Sequence, residues 1–452
     1  MKHAGTHTGR SVGRRHRVRP GGRLLRAMLA FALISGCTAA GPGGRETIHF
    51  ITWNPSRPEV WKDLIAGFET RNPGVRVILE LGPSSSTSFH DIVAQKLRNR
   101  GDDIDVFFMD ATWVPEFAAA GWAAPLDDLF PAGERAGFLP AGIAANTWEG
   151  RLYGVPMFID AGLLFYRSDL LEKYKFHPPA TWRELALQAE TITRGEARNG
   201  ALIYGYSGQF KQYEGLVCNM QEFILGNNGS LLDPDTLEPE FDRPAALEAV
   251  RFVRDTILGR LSPGGALTYM EPESISLFIQ GRAVFHRNWP YAWQIAGDPE
   301  GSRVAGRVGI ARLPHFPGGA GRPTLGGWQL GINAHSGRRV PARGFVRFLA
   351  GEEIQKRFVM ETGRAPARIS LYRDPEILGR YPQFGKMGAI FADAAPRPRT
   401  PLYPAVSNEL QRFFSTVLAE PGADLPAAAR EAARRIRWIQ STLKKKAGHA
   451  RQ

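Results

Sequence analysis

A mostly parallel β-sheet flanked by helices is the fold the sequence predicts, and three observations predict it. Strand-like and helix-like segments alternate from Thr47 to Ala120. Turn residues separate them, Asn72-Pro73-Gly74 and Gly121 among others. Strand-like stretches then return at Val308–Leu313 and Leu325–Ile332 after a helical middle. A β-α-β-α-β rhythm needs helical crossovers between parallel strands, which is the α/β arrangement.

Thr47–Thr52 reads as a strand and Pro58–Thr70 as an amphipathic helix. Ser56-Arg57-Pro58-Glu59 fits a capping box, with Ser56 as N-cap and Glu59 reaching back to it. A second reading turns the Glu59 carboxylate toward a ligand lying over the strand end. Val75–Leu81 alternates like a strand, His90–Leu97 is a helix, Asp105–Met109 a strand and Trp113–Ala120 a helix. Val155–Ile159 and Gly162–Tyr166 are apolar and extended. Trp182–Thr193, Tyr213–Leu225 and Ala245–Leu258 carry apolar residues three and four apart, as helices packed on one face do. Val340–Leu349, Glu352–Met360, Glu409–Leu418 and Ala427–Leu443 extend the helical pattern to the C-terminus. The chain has no internal repeat.

At 452 residues the chain is long enough for two domains with sizeable cores. Its net charge of +13 is local: residues 1–36 hold eight basic residues and no acid, and 13 − 8 leaves +5. Much of that remainder is the tail from Arg434 to Lys446, so no basic stripe for nucleic acid is expected. Residues 1–36 have the form of an export signal, in which the apolar run Met28–Ile34 is too short to span a membrane. Leu33-Ile34-Ser35-Gly36-Cys37 resembles the lipobox of bacterial lipoproteins, where the cysteine is acylated and becomes the new N-terminus. Residues 37–46 then form a Gly-rich tether, and Cys218, the only other cysteine, has no intramolecular disulfide partner. The expected product is an exported, membrane-anchored lipoprotein in the periplasm or on the cell surface.

The sequence lacks a zinc His-Glu-x-x-His, a paired Cys-x-x-Cys, a Gly-x-Ser-x-Gly elbow, a Walker loop and a dinucleotide fingerprint. No metal, cofactor or catalytic residue is therefore assigned. Carboxylates at strand ends remain, Asp110 and Asp160. Two such acids across a cleft can act as a glycosidase pair. They can equally accept hydrogen bonds from sugar hydroxyls, or serve as a helix cap and a loop acid. Arg287-Asn288-Trp289-Pro290-Tyr291-Ala292-Trp293 places three rings after a short strand, with Asn288 as N-cap, Pro290 in the first helical turn, and Trp289 and Trp293 on one helix face. Flat rings beside carboxylates suit a sugar. In Leu325-Gly326-Gly327-Trp328 two glycines permit close backbone approach before an aromatic, a motif that equally suits a β-bulge with a core Trp. Arg364 and Arg368 flank Ala365-Pro366-Ala367 and are either clamps or solvated loop residues.

Six segments in order strengthen one of these readings: Asp105–Asp110, Phe158–Arg167, Gln212–Cys218, Arg287–Trp293, Leu313–Gly318 and Leu325–Trp328. Together they resemble the extracellular solute-binding proteins of sugar ABC transporters, nearest the trehalose/maltose-binding branch, from about Ile48 to about Pro404. The resemblance implies two α/β lobes joined by hinge crossings, each a mostly parallel sheet flanked by helices. It assigns residues 47–160 with 307–365 to the N-terminal lobe, and 161–306 with 366–447 to the C-terminal lobe. It implies a ligand site of Glu59, Asp110, Asp160, Trp289, Tyr291, Gly327, Trp328 and Arg368, with Trp293 one turn further along as packing. Trehalose-binding relatives carry an Arg where this chain has Thr87-Ser88-Phe89, and a Tyr where it has Phe158.

The expected function is capture of an α-linked disaccharide or longer oligosaccharide by a monomer. The expected partners are an ABC permease with its cytoplasmic ATPase, the membrane through the lipid at Cys37, and no nucleic acid. An exported carbohydrate-active enzyme, or a sugar-binding module of a sensor or adhesin, is the alternative.

Overall fold

The computed structural model describes residues 44–449, Ser56 and Asp102 excepted. The predicted signal peptide, Cys37, the N-cap Ser56 and nearly all of the tether therefore lie outside the described residues. Ten strands form two sheets: β1 Glu46–Trp53, β2 Val75–Gly82, β3 Val106–Asp110, β4 Val155–Ala161, β5 Leu163–Arg167, β6 Tyr204–Ser207, β7 Ala283–Asn288, β8 Val308–Ala311, β9 Leu325–Ile332 and β10 Ala365–Pro366. The first sheet has the order β10-β4-β9-β3-β1-β2, the second β8-β5-β7-β6, and Thr147–Trp148 and Arg151–Leu152 form a separate hairpin. In the first sheet β1 to β4 run one way while β9 and β10 run back; in the second only β5 opposes the others.

The central strands β3, β4 and β7 are buried along their whole length, as strands covered on both faces must be. Helix α1, Pro58–Arg71, buries Val60, Trp61, Leu64, Ile65 and Phe68, a three- and four-residue spacing that lays one stripe against the first sheet. Phe50, Trp61, Phe108 and Phe345 meet there edge to face. A second core lies under α2, Glu214–Leu225, and the C-terminal helices α3, Tyr403–Ala419, and α4, Leu425–His449. A third cluster joins residues of both sheets, Ile159 and Ala161 with Leu163 and Phe165, to the segment around Leu371–Phe391.

β4 and β5 are one extended run that leaves the first sheet and enters the second with only Gly162 between them. A Cβ at Gly162 would stand 2.0 Å from Glu222 Oε1, so any side chain there would displace that carboxylate. Glu222 and Arg287 are a buried ion pair with side chains 2% and 1% exposed. Arg287 Nε donates to Glu222 Oε2 at 2.7 Å, Nη2 to Oε1, and Nη1 to Gln209 Oε1 at 3.3 Å. The second crossing touches the same carboxylate, for Thr324 N donates to Glu222 Oε1 at 3.1 Å just before β9 begins. The third crossing lies beside the second, since Leu325 N donates to the Ala395 carbonyl at 2.8 Å and Ala395 N to that of Pro323 at 2.8 Å.

The structure corrects several expectations. β8 pairs with β5, and Leu313 and Phe316 sit in the second core, so the chain returns to the first lobe at Thr324 and not at residue 307. β6 belongs to the second sheet but was not foreseen, because four residues, Tyr-Gly-Tyr-Ser, carry no readable alternation. Asn288 is the last residue of β7, not a helix cap. Its Oδ1 accepts from Trp289 N at 2.8 Å, and the helix after it is a single turn, Ala292–Ala296. Trp289 and Trp293 therefore do not share a helix face. The helix predicted at Ala245–Leu258 is α-helical to Phe252 and then widens into π-helix to Leu261.

Leaving one half of a buried pair unpartnered is costly, about 3–5 kcal/mol, whereas replacing both halves by apolar groups is far milder. Arg287→Met is accordingly expected to lower the unfolding free energy by about that amount in urea titrations, with Glu222→Leu/Arg287→Met recovering most of it. A loss under about 1 kcal/mol in the single variant, the size of an exposed pair, would show the crossings do not lean on it.

Candidate functional site

The ends of β3, β4 and β9 converge. Trp328 pairs with Asp110, and Gly326 with Asp160. Gly327 has φ of 125°, and a Cβ there would meet the Phe158 carbonyl at 2.7 Å. A Cβ on Gly326 would lie 3.2 Å from the Trp289 ring and 3.1 Å from Asp160 Cβ. Gly326 thus lets a ring from the second lobe settle against the first-lobe strand ends, while Gly327 lets β9 pass close to the backbone of β4. A β-bulge follows between Trp328 and Gln329.

Asp110 and Asp160 stand in different surroundings. Asp110 Oδ1 caps the turn Ala111–Trp113, accepting from Thr112 N at 2.9 Å and Thr112 Oγ1 at 2.8 Å. It also accepts from Arg397 Nη2 at 2.8 Å, while Arg397 Nη1 donates to Glu214 Oε1 at 2.7 Å. Glu214 in turn accepts from the hydroxyls of Tyr403 and Ser407. Arg397 therefore ties the end of β3 to α2 and α3 of the second lobe.

Asp160 is 4% exposed, its Oδ1 has no hydrogen-bond partner among the described residues, and its Oδ2 lies 3.8 Å from Arg364 Nη1. Burial pushes its carboxyl from the ordinary 3.8 up to about 7, against the pull of Arg364 and Arg287. A buried acceptor without a partner is costly unless something fills it.

The rings gather around these acids. The Arg364 guanidinium lies 5.2, 4.5 and 4.9 Å from the ring centres of Trp53, Phe158 and Tyr291, so it bridges rings of the two lobes. Trp53 stacks on Trp328 at 4.6 Å and on Phe108 at 5.0 Å. Trp289 is held by its edge and one face. Its Nε1 donates to Glu271 Oε1 at 3.1 Å, the other Glu271 oxygen accepts from Tyr213 Oη at 2.7 Å, and the Arg287 guanidinium lies 4.0 Å over the ring. Burial pushes the Tyr291 hydroxyl well above its usual range. Next to Tyr291, Arg364 and Trp53 a cavity of about 630 Å³ opens between the lobes, lined also by Trp61, Trp293 and Tyr381. That volume lies in the range of small-molecule sites.

Of the predicted residues, the structure gathers Asp160, Trp289, Tyr291, Gly327 and Trp328 at one seam, with Asp110 at the far end of the same strand ends. It does not bring Arg368 there: Arg368 Nε donates to the Ala350 carbonyl at 2.8 Å and its guanidinium lies 4.3 Å over Phe138, in the first-lobe core. The Pro-containing strand β10 turns Arg364 and Arg368 to different surroundings, and Arg364 is the one at the seam. Glu59 sits exposed at the rim, paired with Arg57 at 2.9 Å, and no side chain caps its helix from Arg57, the residue that precedes Pro58. The expected capping box with Ser56 lies outside the described residues. Trp53, Glu271 and Arg397 were not foreseen. Trp53 closes the predicted strand Thr47–Thr52 and occupies the same strand-end position that singled out Asp110; nothing in the sequence pairs Arg397 with acids nearly two hundred and three hundred residues earlier. Among the described residues there is no group of three or more His, Cys, Asp and Glu arranged for a metal ion, and no helix is long and apolar enough to cross a membrane.

Comparison with known proteins follows the same outline. The profile of a family described as bacterial extracellular solute-binding protein matches residues 54–356. A protein of Deinococcus radiodurans described as a probable ABC transporter-binding protein is 36% identical over 362 residues, 79% of this chain and 85% of that one. Maltose-bound MalE3 of T. maritima superposes with a TM-score of 0.81 at 35% identity, covering 87% of this chain and 99% of that one. A solute-binding protein of Thermotoga lettingae bound to α-D-tagatose gives a TM-score of 0.76 at 26% identity, covering 87% and 99%.

Asp160 holds its proton more tightly folded than unfolded, so it favours the folded state at low pH and loses that contribution as pH rises from about 4 through about 7. Asp160→Asn removes the ionisation, and its stability relative to the parent is expected to increase across that window. Parallel stability–pH curves for the two proteins in urea unfolding from pH 4 to 8 would show the carboxyl titrating normally.

Proposed function

Since the chain belongs to the bacterial extracellular solute-binding proteins of ABC transporters, which bind substrates and are not enzymes, we propose that it captures an α-linked disaccharide, of trehalose or maltose type, between its lobes for delivery to a permease driven by a cytoplasmic ATPase. One observation carries the sugar reading: the buried, unpartnered Asp160 oxygen beside the Arg364 guanidinium and the aromatic walls of an interlobe cavity. An ionised carboxylate accepts two hydroxyls, a guanidinium donates to ring and hydroxyl oxygens, and flat rings cover the C–H faces of a pyranose. Maltose is what MalE3 of T. maritima holds, and it heads the candidate ligands for that reason. Asp110 gives little support to the hydrolase alternative, because three donors already occupy its Oδ1.

In this reading Trp289 and Tyr291 supply the second-lobe rings, Asp160 the acceptor, and Gly327 with Trp328 the strand that lets the lobes meet. Cys37 carries the lipid that keeps the protein near its permease.

A panel of mono- and oligosaccharides in thermal-shift and calorimetric titrations tests the sugar reading. A ligand at about 100 times its dissociation constant raises stability by roughly 2.7 kcal/mol. If no saccharide moves the melting temperature, the reading fails. Trp289→Ala is expected to weaken the best ligand by about 1–3 kcal/mol; unchanged affinity with lowered stability would make the ring a packing residue only. Cys37→Ser is expected to move the protein from the membrane to the soluble fraction, and retention on membranes would refute the anchor.

A further inference from the structure

The cavity beside Tyr291 has a wall rich in donors. Among the described residues three arginines line it, Arg57, Arg364 and Arg380, and the only carboxylate is that of Asp298. The three differ in what already holds them. Arg57 is engaged, with Glu59 Oε1 at 2.9 Å from its Nε and Glu361 Oε2 at 3.4 Å from its Nη2. Arg364 is held more loosely. Among the described residues its guanidinium donates no hydrogen bond; its Nη1 faces Asp160 Oδ2 in an ion pair at 3.8 Å, and it rests against three rings. Arg380 is exposed, forms no ion pair among the described residues, and lies 5.8 Å from the ring of its neighbour Tyr381. Asp298 is at the exposed rim and already accepts from Glu300 N at 3.1 Å.

A sugar hydroxyl both gives and takes hydrogen bonds, so a wall that receives a neutral saccharide needs acceptors as well as donors. In this wall Arg364 donates no hydrogen bond and Arg380 forms no ion pair among the described residues, while carboxylate acceptors are few. Its complement is a group that only accepts. Guanidinium forks match carboxylate and phosphate oxygens two at a time, which a neutral hydroxyl does not allow. The rings of Trp53, Tyr291 and Trp293 line the same space and supply faces for a pyranose.

We propose that this cavity takes an acidic saccharide, its anionic group held by Arg364 at the inner end and Arg380 at the rim. The proposal rests on the sugar-binding reading and departs from it in one respect: the disaccharide carries a carboxylate or a phosphate, whereas maltose and trehalose are neutral. Arg364 is then a specificity-determining residue, and the Trp53–Phe158–Tyr291 cage keeps its charge in place before the ligand arrives.

Calorimetric titration of the anchor-free full chain with maltose, maltobionate and maltose 1-phosphate tests it at low and at physiological salt. At least one of the two acids is expected to bind about tenfold tighter than maltose, the factor of a single charge-assisted contact. The preference is expected to shrink as salt rises, because Arg380 is exposed. Whichever acid binds more tightly identifies the anion as carboxylate or phosphate. Arg380→Gln, a surface change, is expected to cut the preference to about twofold, and Arg364→Gln to abolish it. Maltose binding as tightly as both acids overturns the proposal and leaves the sugar reading intact. A preference that survives both substitutions overturns the assignment to these arginines. If none of the three probes binds and no neutral saccharide shifts the melting temperature, the sugar reading falls and takes this one with it.

Discussion

Two charges without water, Glu222 and Arg287, govern how the two halves of this molecule meet. A carboxylate 2% exposed persists as an ion only if its lone pairs are filled, and here the neighbours that crowd it come from the crossings themselves. Thr324 N–H reaches it just before β9, and Gly162 presents a bare Cα where any side chain would collide. Arg287 extends the constraint outward, because the guanidinium that fills Glu222 also lies on the Trp289 ring, whose far edge Glu271 holds. Junction and cleft ring are therefore parts of one polar chain. The aromatic core of the first lobe, by contrast, packs by shape, and any one of its rings has several neighbours to lean on.

The two strand-end acids show how surroundings divide like residues. Asp110 is filled by a turn and by Arg397, so it works as a strut between lobes. Asp160 has one oxygen with nothing to take and a carboxyl near neutrality. Functional carboxylates are commonly marked by such displaced titration, although structural pairs displace it too; the missing partner and the neighbouring Arg364, which lines the cavity, are what separate this acid from Asp110.

Much of the architecture was legible because periodicity survives in a single chain. Thr47–Thr52 and Pro58–Thr70 match β1 and α1 to within a residue or two at each end, and Leu325–Ile332 coincides with β9, since alternation and three–four spacing reflect burial directly. β6 escaped notice through brevity, and the single turn Ala292–Ala296 was read as a longer helix because proline and aromatic residues suit both. The boundary near 307 failed for a different reason: Val308–Ala311 reads equally well as a strand of either sheet, and only pairing decides. At the site, strand-end position singled out Asp110 and Asp160, and the aromatic run singled out Trp289 and Tyr291. Choosing between Arg364 and Arg368 needed the direction in which a two-residue strand turns its flanks. Arg397 needed knowledge of what a distant loop would meet. Local pattern carries neither.

Gly162 has a consequence for how this protein can change. A side chain there would press on both Glu222 and Arg287, and the Arg287 guanidinium lies over the Trp289 ring. Positions 162, 222 and 287 are thus coupled, and a change at one is felt at the others and at the Trp289 ring. Glu271 and Gly326 touch the same ring from outside that set. A change at Glu271 can shift that ring without disturbing the buried pair, whereas a change at the glycine between the sheets cannot.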